Sequence, residues 1–110
     1  MVKVVLIHRT KDLESRKALI KVIKKVRAVA SKQPGFVYGE TLVNAENPCH
    51  IIVISTWKAA GDWEAWDKSA ARAATKPEIQ ALLTEPFDTF IHPEPAVWRE
   101  DMVNTFGESA

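Results

Sequence analysis

At 110 residues the chain has the length of one domain, enough to bury a modest core without disulfide or metal support. With 15 Lys and Arg against 14 Asp and Glu, it lacks the basic excess of a nucleic-acid binder. Its 46% apolar and 26% charged residues exclude a disordered or collagen-like chain. The single cysteine, Cys49, excludes an intramolecular disulfide and a Cys-based zinc site, and suits the reducing cytoplasm.

The opening MVKVVLIHRT holds too few apolar residues before His8 and Arg9 for a signal-peptide core or a membrane span, so no membrane association is expected. Val2 to Ile7 form a β-branched run that is apolar on both faces, which predicts a strand covered on both sides. Residues 12 to 31 carry Leu19, Val22, Ile23, Val26 and Val29 at helical spacing, opposite lysines and arginines; Asp12 or Thr10 can cap this helix.

A Gln-Pro-Gly turn at 33 to 35 leads to an alternating strand at 36 to 44, and AENP at 45 to 48 turns the chain into a continuous apolar strand at 50 to 57. The short connection predicts an antiparallel hairpin. A poorly capped helix follows from Ala60 to Ser69, expected to resume through Leu83 after a bend near Thr75, with Pro77 early in the new segment. FDTFIH at 87 to 92 reads as a last strand.

The order strand, helix, strand, strand, helix, strand predicts an α+β, ferredoxin-like βαββαβ fold, an antiparallel sheet with both helices on one face. The other face is then bare and apolar, so a homodimer with sheets packed together is expected. Residues 1–95 form the domain. Residues 96–110, preceded by Pro93 and Pro95 and carrying scattered Val97, Trp98, Met102, Val103 and Phe106, read as a C-terminal tail, either an arm on the partner subunit or a frayed terminus.

Three tryptophans fall in TWKAAGDWEAWDKSAARAATKPEIQALL. Trp63 and Trp66 share a helix face, while Trp57 ends a strand and is expected to face away from them. A core role suits Trp63, and Trp66 is assigned to the wall of a pocket for a planar aromatic ligand. His8, His50 and His92 share no helix at metal-ligand spacing, so no metal site is expected. His8 is either a structural histidine or a proton-transfer group in a cleft. Arg9, Tyr38 and Glu40 are strand residues that could reach the space beneath the helices, Tyr38 and Glu40 from one face. No Gly-rich phosphate loop, GxSxG, paired cysteine or HExxH occurs.

The strand order, the PGF turn at 34 to 36 and the passage ISTWKAAGDWEAWDKSAARAA resemble the antibiotic biosynthesis monooxygenase (ABM) family over roughly residues 2 to 92. The resemblance implies a dimeric α/β barrel with a pocket in each subunit. Some members oxygenate aromatic substrates without cofactor, and others bind and cleave haem. The haem-degrading members are similar in the run Trp66, Asp67, Lys68, Ser69, but they place an iron-ligating histidine where Lys76 stands here and an asparagine where His8 stands. A lysine protonated near neutral pH is a poor iron ligand, which disfavours haem degradation.

What the resemblance implies for function is a cofactor-independent monooxygenase acting on a small aromatic or quinol-like molecule. Trp66 and His8 are the expected catalytic positions, and Tyr38, Trp63 and Lys76 the expected substrate contacts, with no cofactor and no metal. The alternatives are a haem-binding protein and a noncatalytic ligand-binding barrel.

Overall fold

The computed structural model describes residues 1–95, so the expected tail at 96–110 lies outside the described residues. Strand β1 (Val2–Arg9) leads to helix α1 (Leu13–Ala30), and strands β2 (Phe36–Val43) and β3 (His50–Trp57) follow. Helices α2 (Ala60–Asp67) and α3 (Ala70–Gln80) then precede strand β4 (Asp88–Pro93). The strands form one antiparallel sheet in the order β2-β3-β1-β4, with both central strands supplied by the apolar runs. This is the ferredoxin-like α+β arrangement, with its second helix divided in two.

Helix α1 begins where Asp12 accepts a hydrogen bond from the Ser15 amide at 2.7 Å, satisfying one of the free donors of the first turn. Its apolar stripe buries Leu19, Val22, Ile23 and Ala30 against the sheet and α3. Each fully buried aliphatic side chain of this kind contributes on the order of 2 kcal/mol. The helix is followed by a turn in which Gly35 has φ 83°, a left-handed conformation that side chains resist. A Cβ there would also collide with the Asp62 side chain, so the turn and the start of α2 fit together only around glycine. The Gly35 carbonyl accepts from the Lys58 amide at 2.8 Å and fixes that approach.

Between Phe36 and Tyr38 the β2–β3 register slips by one residue, a bulge at Val37. Phe36 pairs with Trp57 and Gly39 with Ser55, whereas Tyr38 and Glu40 pair with Thr56 and Ile54. The slip reverses the face of every later β2 side chain. Tyr38 and Glu40 do share a face, but it is the face opposite the helices. Strict alternation from Phe36 would have placed them beneath the helices; the extra residue is the reason it fails.

The break in the second helical stretch lies at Lys68 and Ser69 rather than near Thr75. Ser69 ends one helix and starts the next: its hydroxyl donates to the Trp66 carbonyl at 2.6 Å and accepts from the Arg72 amide at 3.2 Å. Pro77 accordingly lies inside α3, not early in a new segment. Helix α2 starts at Ala59 without a side-chain cap, as its sequence predicts.

Candidate functional site

The helices and sheet do not close completely on each other. A cavity remains between α1, α2, α3 and the inner sheet face, lined by His8, Phe36, Trp57, Trp63, Trp66 and Arg72 together with aliphatic side chains. About 520 Å³ is free of atoms when the opening to solvent is counted, but only about 50 Å³ of it is open to the centre of a water molecule. As packed, the closed part holds a small group, and a fused-ring ligand would have to extend into the opening.

The three tryptophans Trp57, Trp63 and Trp66 are all buried in this wall. Trp57 does not face away from the others. As the register partner of Val2 and Phe36 it points toward the helices, edge-on to Phe36 at 5.2 Å and to Trp63 at 6.0 Å between ring centroids. Its indole nitrogen already donates to Ser55 Oγ at 2.9 Å. Trp63 and Trp66 meet it from α2, three residues apart on one helical face.

His8 stands next to last in β1, on the inner face with Val4 and Leu6, and is 1% exposed. Its Nδ1 has no hydrogen-bond partner among the described residues. Burial pushes its pKa down to about 4; the Ile51 backbone raises it in part, and the charge of Arg72 lowers it further. At neutral pH the ring is therefore uncharged. It packs on Phe87, with centroids 5.4 Å apart.

Arg72 is not among the expected site residues. It is 3% exposed, lies on the buried face of α3 with Ile79, and its guanidinium sits over the Phe87 ring at 5.6 Å. Its Nε and Nη2 have no hydrogen-bond partner among the described residues. Burial lowers its pKa and the charge of Asp67 partly offsets that. A helix placed as two pieces around Thr75 hides this residue; one helix running from 70 to 80 puts positions 72 and 79 two turns apart on one face. The signal was available in that spacing.

Arg27 crosses from α1 to β2 and donates from Nη2 to Thr41 Oγ1 at 2.6 Å. It runs over Gly39, where an added Cβ would come within 2.8 Å of its Nε, so the glycine makes room for the crossing. Of the expected site residues, His8, Trp63 and Trp66 come together on the cavity, and Tyr38 and Lys76 do not. Tyr38 is 60% exposed on the outer face, carried there by the bulge. Lys76 is held by Asp67, with Nζ 3.1 Å from the carboxylate, and does not line the cavity. Arg9 pairs with Asp88 at 3.0 Å and also lies outside it.

The sequence model of the antibiotic biosynthesis monooxygenase family matches residues 3–78, the stretch that contains β1 through most of α3. The chain belongs to this family. Solved structures share the ABM fold at low identity. A conserved protein from Methanosarcina mazei is 17% identical, with a TM-score of 0.79 over 86% of this chain and 92% of its own. SnoaB, a cofactor-independent oxygenase from Streptomyces nogalater, is 16% identical, with a TM-score of 0.76 over 90% and 97%. Rv0793 from Mycobacterium tuberculosis is 12% identical, with a TM-score of 0.75 over 89% and 98%. No curated protein sequence matches the chain significantly. The membership covers the elements that build the cavity; Arg72 and Trp66 both fall inside the matched stretch.

Proposed function

We propose that this ABM protein is a monooxygenase that oxidises a small aromatic or quinol-like molecule without a bound cofactor; SnoaB is described as a cofactor-independent oxygenase. The observation that carries the reading is a neutral His8 with a buried, unpartnered Nδ1 in the lining of a cavity walled by Trp57, Trp63 and Trp66. The indoles offer flat faces for a planar ring. In the Nε2–H tautomer, His8 Nδ1 accepts the acidic proton of the substrate.

The chemistry then belongs to the substrate. The carbanion or enolate left by proton removal gives an electron to dioxygen, the radical pair combines to a peroxide, and loss of water leaves a carbonyl. One oxygen atom enters the substrate and the other departs as water, with the proton on His8 returned during that loss. The protein desolvates and orients the reactants, and the ion pair between the imidazolium and the substrate anion offsets the low basicity of the buried ring. Lys76, bound to Asp67, takes no part.

Assembly as a homodimer is part of the same proposal. Val5, Ile7, Tyr38, Leu42, Ile52 and Phe90 lie on the sheet face opposite the helices, with Tyr38, Leu42 and Phe90 among the most exposed large apolar side chains. A second copy laid on that face would cover them. The enzymatic reading is tested by oxygen uptake with a naphthoquinol. Wild-type protein is expected to accelerate uptake over the uncatalysed rate, His8→Ala to lose about a hundredfold, the low end of acid–base contributions, and Trp66→Phe to raise KM. Equal rates in wild type and His8→Ala would refute it.

A further inference from the structure

We infer that the cavity is a receptor for a planar carboxylate, with Arg72 as the anchor and the tryptophan wall holding the apolar body that carries the acid group. This names a ligand class for the site proposed above but does not depend on turnover: a carboxylate can bind there whether or not oxygen chemistry follows.

The inference begins with a buried charge. A guanidinium remains protonated in proteins, so a 3% exposed Arg72 holds a full positive charge in an apolar setting. Removing such a charge from water costs several kcal/mol unless it is paired. No carboxylate among the described residues lies within salt-bridge distance of it; Asp67, whose charge it feels, is engaged by Lys76 at 3.1 Å. Among the described residues the charge has an aromatic ring against it and no anion beside it.

The particular atoms left unpartnered narrow the ligand. Nε and Nη2 lie on one edge of the guanidinium, and their N–H bonds on that edge run parallel. Two parallel donors match the two oxygens of a carboxylate, the geometry of the strongest arginine–acid pairs. Phe87 lies against the guanidinium on one side, and both unpartnered nitrogens are buried, so a bound acid reaches them only as the neighbouring side chains give way. His8, on the same cavity and within the field of Arg72, adds an unpartnered Nδ1. Protonated, it donates a third hydrogen bond to a bound acid.

The rest of the lining limits what the acid can be attached to. Apart from His8, Arg72, Arg27 and Ser55, the wall is aliphatic, aromatic or glycine, and Ser55 Oγ is taken by the Trp57 indole. Arg27 is committed to Thr41. A sugar or a polyphosphate would leave most of its hydroxyls or charges unmatched. A flat apolar body with one carboxylate would not. The 50 Å³ interior suits the acid group, with the body directed to the opening.

The test is binding of sodium benzoate against benzamide, its neutral counterpart, to the full-length protein by calorimetry, with inorganic phosphate as a third ligand. Benzoate is expected to bind at least tenfold tighter than either, and to move the Arg72 Nε–H resonance downfield in a nitrogen-correlated NMR spectrum. Arg72→Met should lose benzoate binding at least tenfold while melting at or above the wild-type temperature, since it removes an unpaired buried charge without emptying the space. Arg72→Lys keeps charge but not the parallel pair and should also bind several-fold weaker.

Benzoate and benzamide binding equally, tighter binding of phosphate, or unchanged benzoate affinity in Arg72→Met would each overturn the inference. A marked fall in melting temperature for Arg72→Met would do so too, because it would show Arg72 to be part of the packing. Failure of oxygen uptake with benzoate binding intact would count against the monooxygenase reading alone.

Discussion

Acid destabilisation through His8 follows from its burial. Its pKa falls from 6.5 in the unfolded chain to about 4 in the fold. Between those values the unfolded state binds a proton that the folded state does not, so stability rises with pH across this window and is lost as pH drops from about 6.5 toward 4. At about 1.36 kcal/mol per pKa unit, the shift corresponds to roughly 3 kcal/mol, a sizeable part of the 5–15 kcal/mol typical of a small domain. The side chain is 1% exposed, so solvent screening takes little from this figure. The measurement is urea unfolding at pH 7, 6, 5 and 4.5, at one protein concentration, for wild type and His8→Leu. Carboxylates such as Asp12, whose pKa is lowered by its hydrogen bonds to Ser15, titrate in both proteins and cancel in the difference. Wild type should lose stability relative to His8→Leu with a slope approaching one proton. Parallel curves would show that His8 is already protonated in the fold or solvated there, and would remove the neutral base from the proposed chemistry.

Ser69→Ala removes a group that both closes α2 and caps α3; a loss of about 1 kcal/mol is expected in urea unfolding. Because the same hydroxyl fixes the Arg72 amide, benzoate affinity should fall as well, and unchanged affinity would disconnect the cap from the site. Leu42→Lys and Phe90→Lys, each on the outer face and 47% exposed, should convert a dimer to a monomer in sedimentation or light scattering; a monomeric wild type at micromolar concentration would refute the dimer. Benzoate binding should tighten from pH 7 to pH 5, because an anion beside Arg72 offsets the charge that depresses His8 and so raises His8's proton affinity, and linkage is reciprocal. The charged groups on that cavity are Arg72 of α3 and Arg27 of α1. An affinity independent of pH would mean that His8 and the bound acid do not meet.

The strand and helix order was legible because apolar periodicity survives in almost every element: the α1 stripe and the unbroken run of β3 leave little choice. What escaped the sequence were single residues that change parity or phase. The bulge at Val37 has no local signature, yet it alone decides that Phe36 faces the cavity and Tyr38 does not. The helix break at Ser69 reads as an ordinary serine until its two hydrogen bonds are known, and misplacing it by a turn or two conceals Arg72. Trp57 departs from its expected setting because a strand end alone carries no sign of what lies above it; the neighbouring Phe36 and Trp63 decide its setting. Lys76 is expected among the substrate contacts, but Asp67, nine residues earlier and across the break, pairs with it outside the cavity lining.

The two faces of the sheet are not independent. In β1, Val4, Leu6 and His8 point to the cavity side and Val5 and Ile7 to the outer side; in β3, Val53, Ser55 and Trp57 alternate with Ile52 and Ile54. A pleated strand cannot shift one set without shifting the other. Pressure on Val5, Ile7 and Ile52 from a covering subunit therefore acts on the backbone that aims His8 and Trp57. A bare outer face would leave these central strands supported on one side only, beneath a cavity that already removes packing from the other. On this geometry, covering the outer face holds His8 in position as well as removing apolar surface from water, so the Leu42→Lys and Phe90→Lys monomers should lose ligand affinity even though neither side chain touches the cavity.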